Sequence, residues 1–225
     1  MNWRLAWRAA LVATAVAVAS CGCDGGNGGN GGNDDNDNPI GEADRPGLGR
    51  DETAPEGTPF TLPQGLTLEQ PIKGYNDADP TDCDHKYEDE AKGQGELVRL
   101  CLIFRNTTNG PITLKLPPGL IFVSRNRAVQ NGMLAQRVAI EVPAGERFFQ
   151  PLFLYCVNSE RDGARPEESY DMGPVTQYED FQELFRLLEN KTITSTNFAI
   201  VAQAMTDLSD GLGLSSDIRA RINAL

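Results

Sequence analysis

From Leu97 to Val157 the chain repeats one pattern: an apolar run of five to eleven residues, then a turn cluster rich in glycine, proline or asparagine. The spacing is roughly ten residues, the rhythm of a chain of short antiparallel strands. Residues 97–104 (LVRLCLIF) are almost continuously apolar, with one polar break at Arg99. Such a run suits a central strand. A turn cluster ending in Asn109-Gly110 follows, then strands at 112–116 (ITLKL) and 120–124 (LIFVS), separated by Pro117-Pro118-Gly119. Within 133–142, Val138, Ile140 and Val142 alternate with Ala139 and Glu141, a half-buried strand at period two. A turn at 143–146 leads to a fifth strand at 147–157 (RFFQPLFLYCV), where Pro151 argues for an edge or a bulge. Residues 59–68 add one more. The expectation is a mainly β fold, an antiparallel β-sandwich over 58–160.

The period changes in the last third. Thr176 and Glu179 have capping-box spacing, and Phe181, Leu184, Phe185 and Leu188 recur at helical intervals. A second helix is expected from about Asn197 to Leu208, capped by Ser195 or Thr196 and closed at Asp210-Gly211. A short third helix carries Ile218, Ile222 and Leu225 on one face. Residues 175–225 thus read as a helical appendage on the sandwich, with 58–225 as a single domain.

The first 57 residues have other roles. Residues 1–8 carry Arg4 and Arg8, and residues 9–19 (AALVATAVAVA) are apolar. Eleven residues fall short of the roughly 20 that span a bilayer core, and they fit the hydrophobic stretch of a signal peptide. The run ends in Val18-Ala19-Ser20-Cys21, which resembles the lipobox of bacterial lipoproteins. The resemblance implies a signal peptide over 1–20, diacylglycerol on the Cys21 thiol, and membrane attachment through that lipid. Gly22 stands where an aspartate commonly retains such proteins at the inner membrane. The resemblance therefore implies an envelope location, at the outer membrane if the host has one, with the cell surface as an alternative. Residues 21–57 are rich in glycine, asparagine and aspartate and read as a disordered tether. Its root-mean-square reach would be roughly 30–36 Å.

The stretch Asn106-Thr107-Thr108, Pro111-Ile112 and Leu116-Pro117-Pro118-Gly119-Leu120 is loosely similar to immunoglobulin-like sandwiches of bacterial envelope proteins. That similarity implies a sandwich and carries no functional residue. Charge narrows the partners. With Arg4 and Arg8 removed, 18 bases face 32 acids, a net of −14. Such a balance repels nucleic acid.

Beyond Cys21 and its neighbour Cys23, the domain holds Cys83, Cys101 and Cys156, enough for one disulfide. Three pairings are open. Cys83–Cys156 is the one expected, because Cys101 lies inside an apolar strand, where buried thiols are common.

His85 is the one histidine, which excludes multi-histidine zinc sites and weakens any triad. The densest polar group runs from Asp77 to Glu90. Asp77, Asp79 and Glu88 match positions one, three and twelve of an EF-hand count, but Asp82 replaces the required glycine and Pro80 intrudes. A looser calcium site through Asp77, Asp79, Asp84 and Glu88 is the alternative to a solvated acidic loop; no other cofactor is implied. Tryptophan occurs only at Trp3 and Trp7, so sugar stacking would fall to tyrosines such as Tyr75 and Tyr87. The leading functional expectation is a non-enzymatic envelope lipoprotein with a binding or structural domain for an envelope or surface protein. The alternatives are a calcium-dependent surface adhesin, or an envelope hydrolase using carboxylates such as Asp84, Glu88 or Glu90.

Overall fold

A computed structural model describes residues 45–76, 83, 91–145 and 147–225, which all fall within one compact unit. It is mainly β, with three C-terminal helices. The strands are β1 (Thr58–Pro59), β2 (Leu66–Leu68), β3 (Ile72–Gly74), β4 (Lys92–Gly93), β5 (Val98–Asn106), β6 (Ile112–Leu116), β7 (Leu120–Ser124), β8 (Gly132–Met133), β9 (Val138–Val142), β10 (Arg147–Cys156) and β11 (Ser169–Val175). The helices are α1 (Glu179–Leu188), α2 (Phe198–Ser209) and α3 (Ser216–Asn223).

Two long strands organise the rest. β5 and β10 pair antiparallel from Arg147↔Arg105 to Leu154↔Val98. Their even residues, Val98, Leu100, Leu102, Phe104, Phe148, Leu152 and Leu154, point into one core. Odd residues such as Arg99, Ile103, Phe149 and Phe153 stay half-exposed on the other face. Burying each such aliphatic or aromatic side chain contributes roughly 1.5–3 kcal/mol.

The expected sandwich is replaced by a ring. β5 continues through β3, β11, β7 and β8 to β10, and β10 pairs back with β5. Six strands thus close on themselves, because the β5–β10 ladder joins the edges that a sandwich leaves open. β2 and β3 share one side of β5, separated by the cis Gln70–Pro71 bond. β1 and β4 extend the sheet. The pair β6–β9 forms a separate ribbon whose Leu114, Leu116, Val138, Ile140 and Val142 face the same core as the ring. At Gly132 in β8, a Cβ would lie 2.7 Å from the Leu154 and Val98 side chains, so only glycine fits there.

Pro151 lies inside the ring rather than at an edge. The odd residues of β10 turn their backbone groups away from β5, as Phe153 shows by accepting from the Gly95 N–H. The ladder on that side starts with β4 at Leu152, so Pro151 removes no paired donor. Its carbonyl accepts from the Gln150 side chain at 3.0 Å.

The domain begins earlier than residue 58. Residues 45–57 are ordered against the ring, and Leu48 is buried at 2% exposure. Asn131 and Asn158 both donate through Nδ2 to the Gly47 carbonyl, at 3.1 and 3.0 Å. The Asn131 N–H donates to Asn158 Oδ1, and the Asn158 N–H to Gln130 Oε1. A tether, on this boundary, ends by residue 44. Arg45 fixes the entry point: Nη2 donates to Asp180 at 2.6 Å and Nη1 to the Leu208 carbonyl at 2.5 Å. Its guanidinium also lies over the Tyr178 and Phe181 rings. It therefore serves an acid in the first turn of α1 and a carbonyl at the end of α2, where the helix dipole is negative.

The helices pack on the outside of the ring and form a second core. Phe181, Leu184, Phe185 and Leu188 of α1, Val201, Met205 and Leu208 of α2, and Ile218 and Ile222 of α3 meet Ile121, Met133, Tyr155 and Leu48. The stripes of α1 and α2 fall where their spacing placed them; in α3 Ile218 and Ile222 do, while Leu225 lies beyond the helix end and outside this core. The caps differ. Thr176 is buried at the end of the β region, with its N–H on the Gly119 carbonyl, and Tyr178 occupies the N-cap of α1. Asn197 stands at the N-cap of α2, ahead of which its Oδ1 accepts from the Thr194 N–H. Gly211, at φ 76°, closes α2 as expected.

Asn158→Ala removes the partner of Asn131 and a donor to buried carbonyls. It should lower unfolding stability by about 2–4 kcal/mol, since buried groups left unsatisfied cost about 1–3 kcal/mol each. Urea denaturation checks this, with a shifted midpoint and an unchanged slope.

Candidate functional site on the outer face of the ring

The odd residues of β5 and β10 form a half-exposed face. In register, Arg105 lies opposite Arg147, Ile103 opposite Phe149, Cys101 opposite Pro151 and Arg99 opposite Phe153. β3 adds Lys73 beside Cys101, and β2 adds Thr67 beside Arg105. Cations and aromatics alternate across it. The Arg99 guanidinium sits 5.0 Å from the Phe153 ring centre, and that of Arg147 sits 5.1 Å from Phe149. Tyr75 packs on Phe153 with centroids 5.7 Å apart. Each guanidinium over a ring contributes roughly 0.5–1 kcal/mol at exposed sites.

Glu69 is the one carboxylate bonded within this face among the described residues. Arg147 grips it with two bonds, of 2.7 and 2.8 Å. The Arg147 hydrogen bonds hold the Glu69 carboxyl below its ordinary range, against a smaller opposing effect of burial; Arg105 adds attraction. Arg147 is raised in turn by Glu69.

A disulfide stands at the centre of the face. Cys83 is joined to Cys101, with Cα atoms 5.4 Å apart. This corrects the expected Cys83–Cys156 pairing. Cys101 is an odd residue of β5 and points outward, whereas Cys156 is an even residue of β10 and packs at the edge of the ring core. The two thiols lie on opposite faces of the sheet, and only the outer one meets Cys83. The bond, with Tyr75, Ile103, Phe149 and Phe153, makes a third small cluster. It ties the chain between Tyr75 and Lys92 to the middle of the face.

The other expected site residues lie elsewhere. Asp77, Asp79, Asp84, Glu88, Glu90, His85 and Cys21 fall outside the described residues, so the calcium and carboxylate expectations are not placed. Among the described residues no three His, Cys, Asp or Glu side chains gather as a metal site. The face itself escapes a reading of the runs as continuously apolar. Its signal is parity: arginines at 99, 105 and 147 occupy only odd positions.

Two shallow clefts complete the described surface. One, of about 590 Å³, is lined by Pro55, Pro59, Phe60, Met172 and Pro174. The other, of about 280 Å³, is lined by Arg50, Arg127, Arg161 and acidic neighbours. No protein-family model, curated protein or solved structure matches this chain.

Two measurements check the face. A non-reducing peptide map should yield a Cys83–Cys101 cross-linked peptide, and reduction should cost roughly 2–4 kcal/mol of stability; a Cys83–Cys156 peptide would refute the assignment. Glu69 contributes stability above its unfolded pKa, near 4.5, and loses it as pH falls through the depressed folded value. Glu69→Gln should therefore flatten the acid limb of the stability curve below about pH 4.5, by less than about 1 kcal/mol for so exposed a pair.

Proposed function

We propose that this chain is a bacterial envelope lipoprotein, held to a membrane through lipid on Cys21, whose domain binds a protein partner on the outer face of β5 and β10. The lipobox-like Val18-Ala19-Ser20-Cys21 supports the anchor. The packing of residues 45–57 against the ring supports attachment of a tether to a rigid body. The observation that carries the binding reading is the composition of the face. Arginine and aromatic side chains dominate the energetics of protein interfaces, and here they are half-exposed on a rigid strand pair.

Charge selects the partner's chemistry. Among the described residues, Lys73, Arg105 and Arg147 outnumber Glu69 on the face of a chain that is acidic overall. The partner is accordingly a protein segment rich in carboxylates with apolar side chains to meet Phe149 and Phe153. Fractionation tests the anchor: the intact chain should follow the membranes and Cys21→Ser should not. A photo-crosslinker at position 149 tests the face. It should trap an acidic protein, and the adduct should vanish with Arg99→Glu and Arg147→Glu together. Equal trapping from position 115, on the separate ribbon, would sink the assignment.

A further inference from the structure

The second cleft lies where three pieces of chain meet: residues 50–52 of the N-terminal strap, 127–128 after β7, and 159–162 after β10. The backbone holds them together. Val129 and Asp162 form a bridge, the Asp162 N–H donates to the Ala128 carbonyl at 2.8 Å, and Gln130 Nε2 donates to the Arg161 carbonyl at 2.9 Å. Ser159 is bonded to Asp210 through its hydroxyl. These contacts place Arg127 and Arg161 on one wall, close enough for each to feel the other's charge.

Their neutralisation is incomplete. Glu160 is engaged by Arg50 at 3.0 Å, and Asp162 by Arg165 at 3.2 Å. That leaves Glu52 as the remaining carboxylate in the lining. Among the described residues, no ion pair within 4.0 Å is made by Arg127 or Arg161. Arg161 is half-buried and spends one N–H on the Asp51 carbonyl, at 2.8 Å. Its burial disfavours its charge, with Arg127 adding to the effect, although Glu52 and Asp51 oppose it. Glu160, at φ 61°, holds the rim in the left-handed backbone region that a non-glycine residue rarely adopts.

We propose that this cleft is a binding site for a phosphate group, with Arg127 and Arg161 as its principal arms and Arg50 as a third. Guanidinium forks match phosphate oxygens two at a time, and a dianion with several acceptor oxygens serves more than one fork at once. The volume, about 280 Å³, lies just under the roughly 300–1,000 Å³ of drug-sized sites. It suits a compact anion or the phosphorylated end of a larger molecule. The Arg50–Glu160 pair is largely exposed and weakly held, so Arg50 can exchange its partner for the ligand. The site is independent of the β5–β10 face.

The phosphate can be free, carried by a soluble molecule, or part of a lipid headgroup. Isothermal titration of the full chain with inorganic phosphate, at constant ionic strength, tests the site. Binding should saturate by about 10 mM and weaken about tenfold in Arg127→Ala, the loss expected for one charge-assisted contact pair. Arg161→Lys keeps the charge but removes the fork and should also weaken it. Lys115→Ala, on the ribbon, should leave it unchanged. If Arg161→Lys fails to fold, the exposed Arg127 carries the test alone. No saturable binding, or equal binding by Arg127→Ala, overturns the proposal. Glycerophosphoglycerol, a headgroup diester, then separates the sources: displacement of phosphate points to lipid, and its failure to a monoester or free phosphate, with the site standing in both cases.

Discussion

The pairing of β5 with β10 is the interaction on which the structure depends. It joins the two ends of a path of strands and so turns a sheet into a ring. It also sets a parity that sorts the surrounding side chains. Even residues of both strands fill the ring; odd residues face outward. A one-residue slip would carry Leu100 and Leu152 into water and Arg99 and Phe153 into the core. Arg99 would then be a buried unpaired charge, so the register is enforced from both sides of the sheet.

Closure leaves the ring's outside to be covered, and two devices do so. Near β7, β8 and the end of β10, the helices and the strap build a second core around Leu48, Met133 and Tyr155. The strap is held by amides rather than by a strand ladder, through Asn131, Asn158 and Gln130. A network of this kind is strong only when every member is satisfied. Arg45 completes it by joining the strap to α1 and α2 at once. Across the β5–β10 face, the described residues that lie on the sheet are one disulfide and a few aromatics among arginines.

How much of this was legible in the sequence follows from what each element buries. β6 and β7 fall at the expected residues, and β5, β9 and β10 lie close to them, because these elements carry their own apolar pattern. So do the three helices, whose stripes face one core. β3, with three residues, and β11, with Gly173-Pro174 inside it and a bulge between Met172 and Val175, have no such pattern. They exist because neighbouring strands supply their partners. Without them the chain reads as a sandwich, and the ring is invisible. The strap was missed for the same reason: its glycines at 47 and 49 resemble tether, and its amide partners lie far along the chain. The disulfide is hidden because Cys101 sits among apolar neighbours, although alternation with Arg99 places it outside.

Two places on the described surface bring arginines together. On the outer face Arg105 and Arg147 stand directly opposite one another, an arrangement that destabilises a strand pair, and Glu69 offsets only part of it. A threonine or valine at either position would pair better and favour the strand. In the second cleft Arg161 feels the like charge of Arg127, with Glu52 and Asp51 acting against it and no ion pair to either arginine among the described residues. The lining of that cleft holds as many carboxylates as arginines, and two of its three acids, Glu160 and Asp162, are engaged by Arg50 and Arg165. Among the described residues, each place brings like charges together at some cost to folding, which the anionic partners proposed above would relieve.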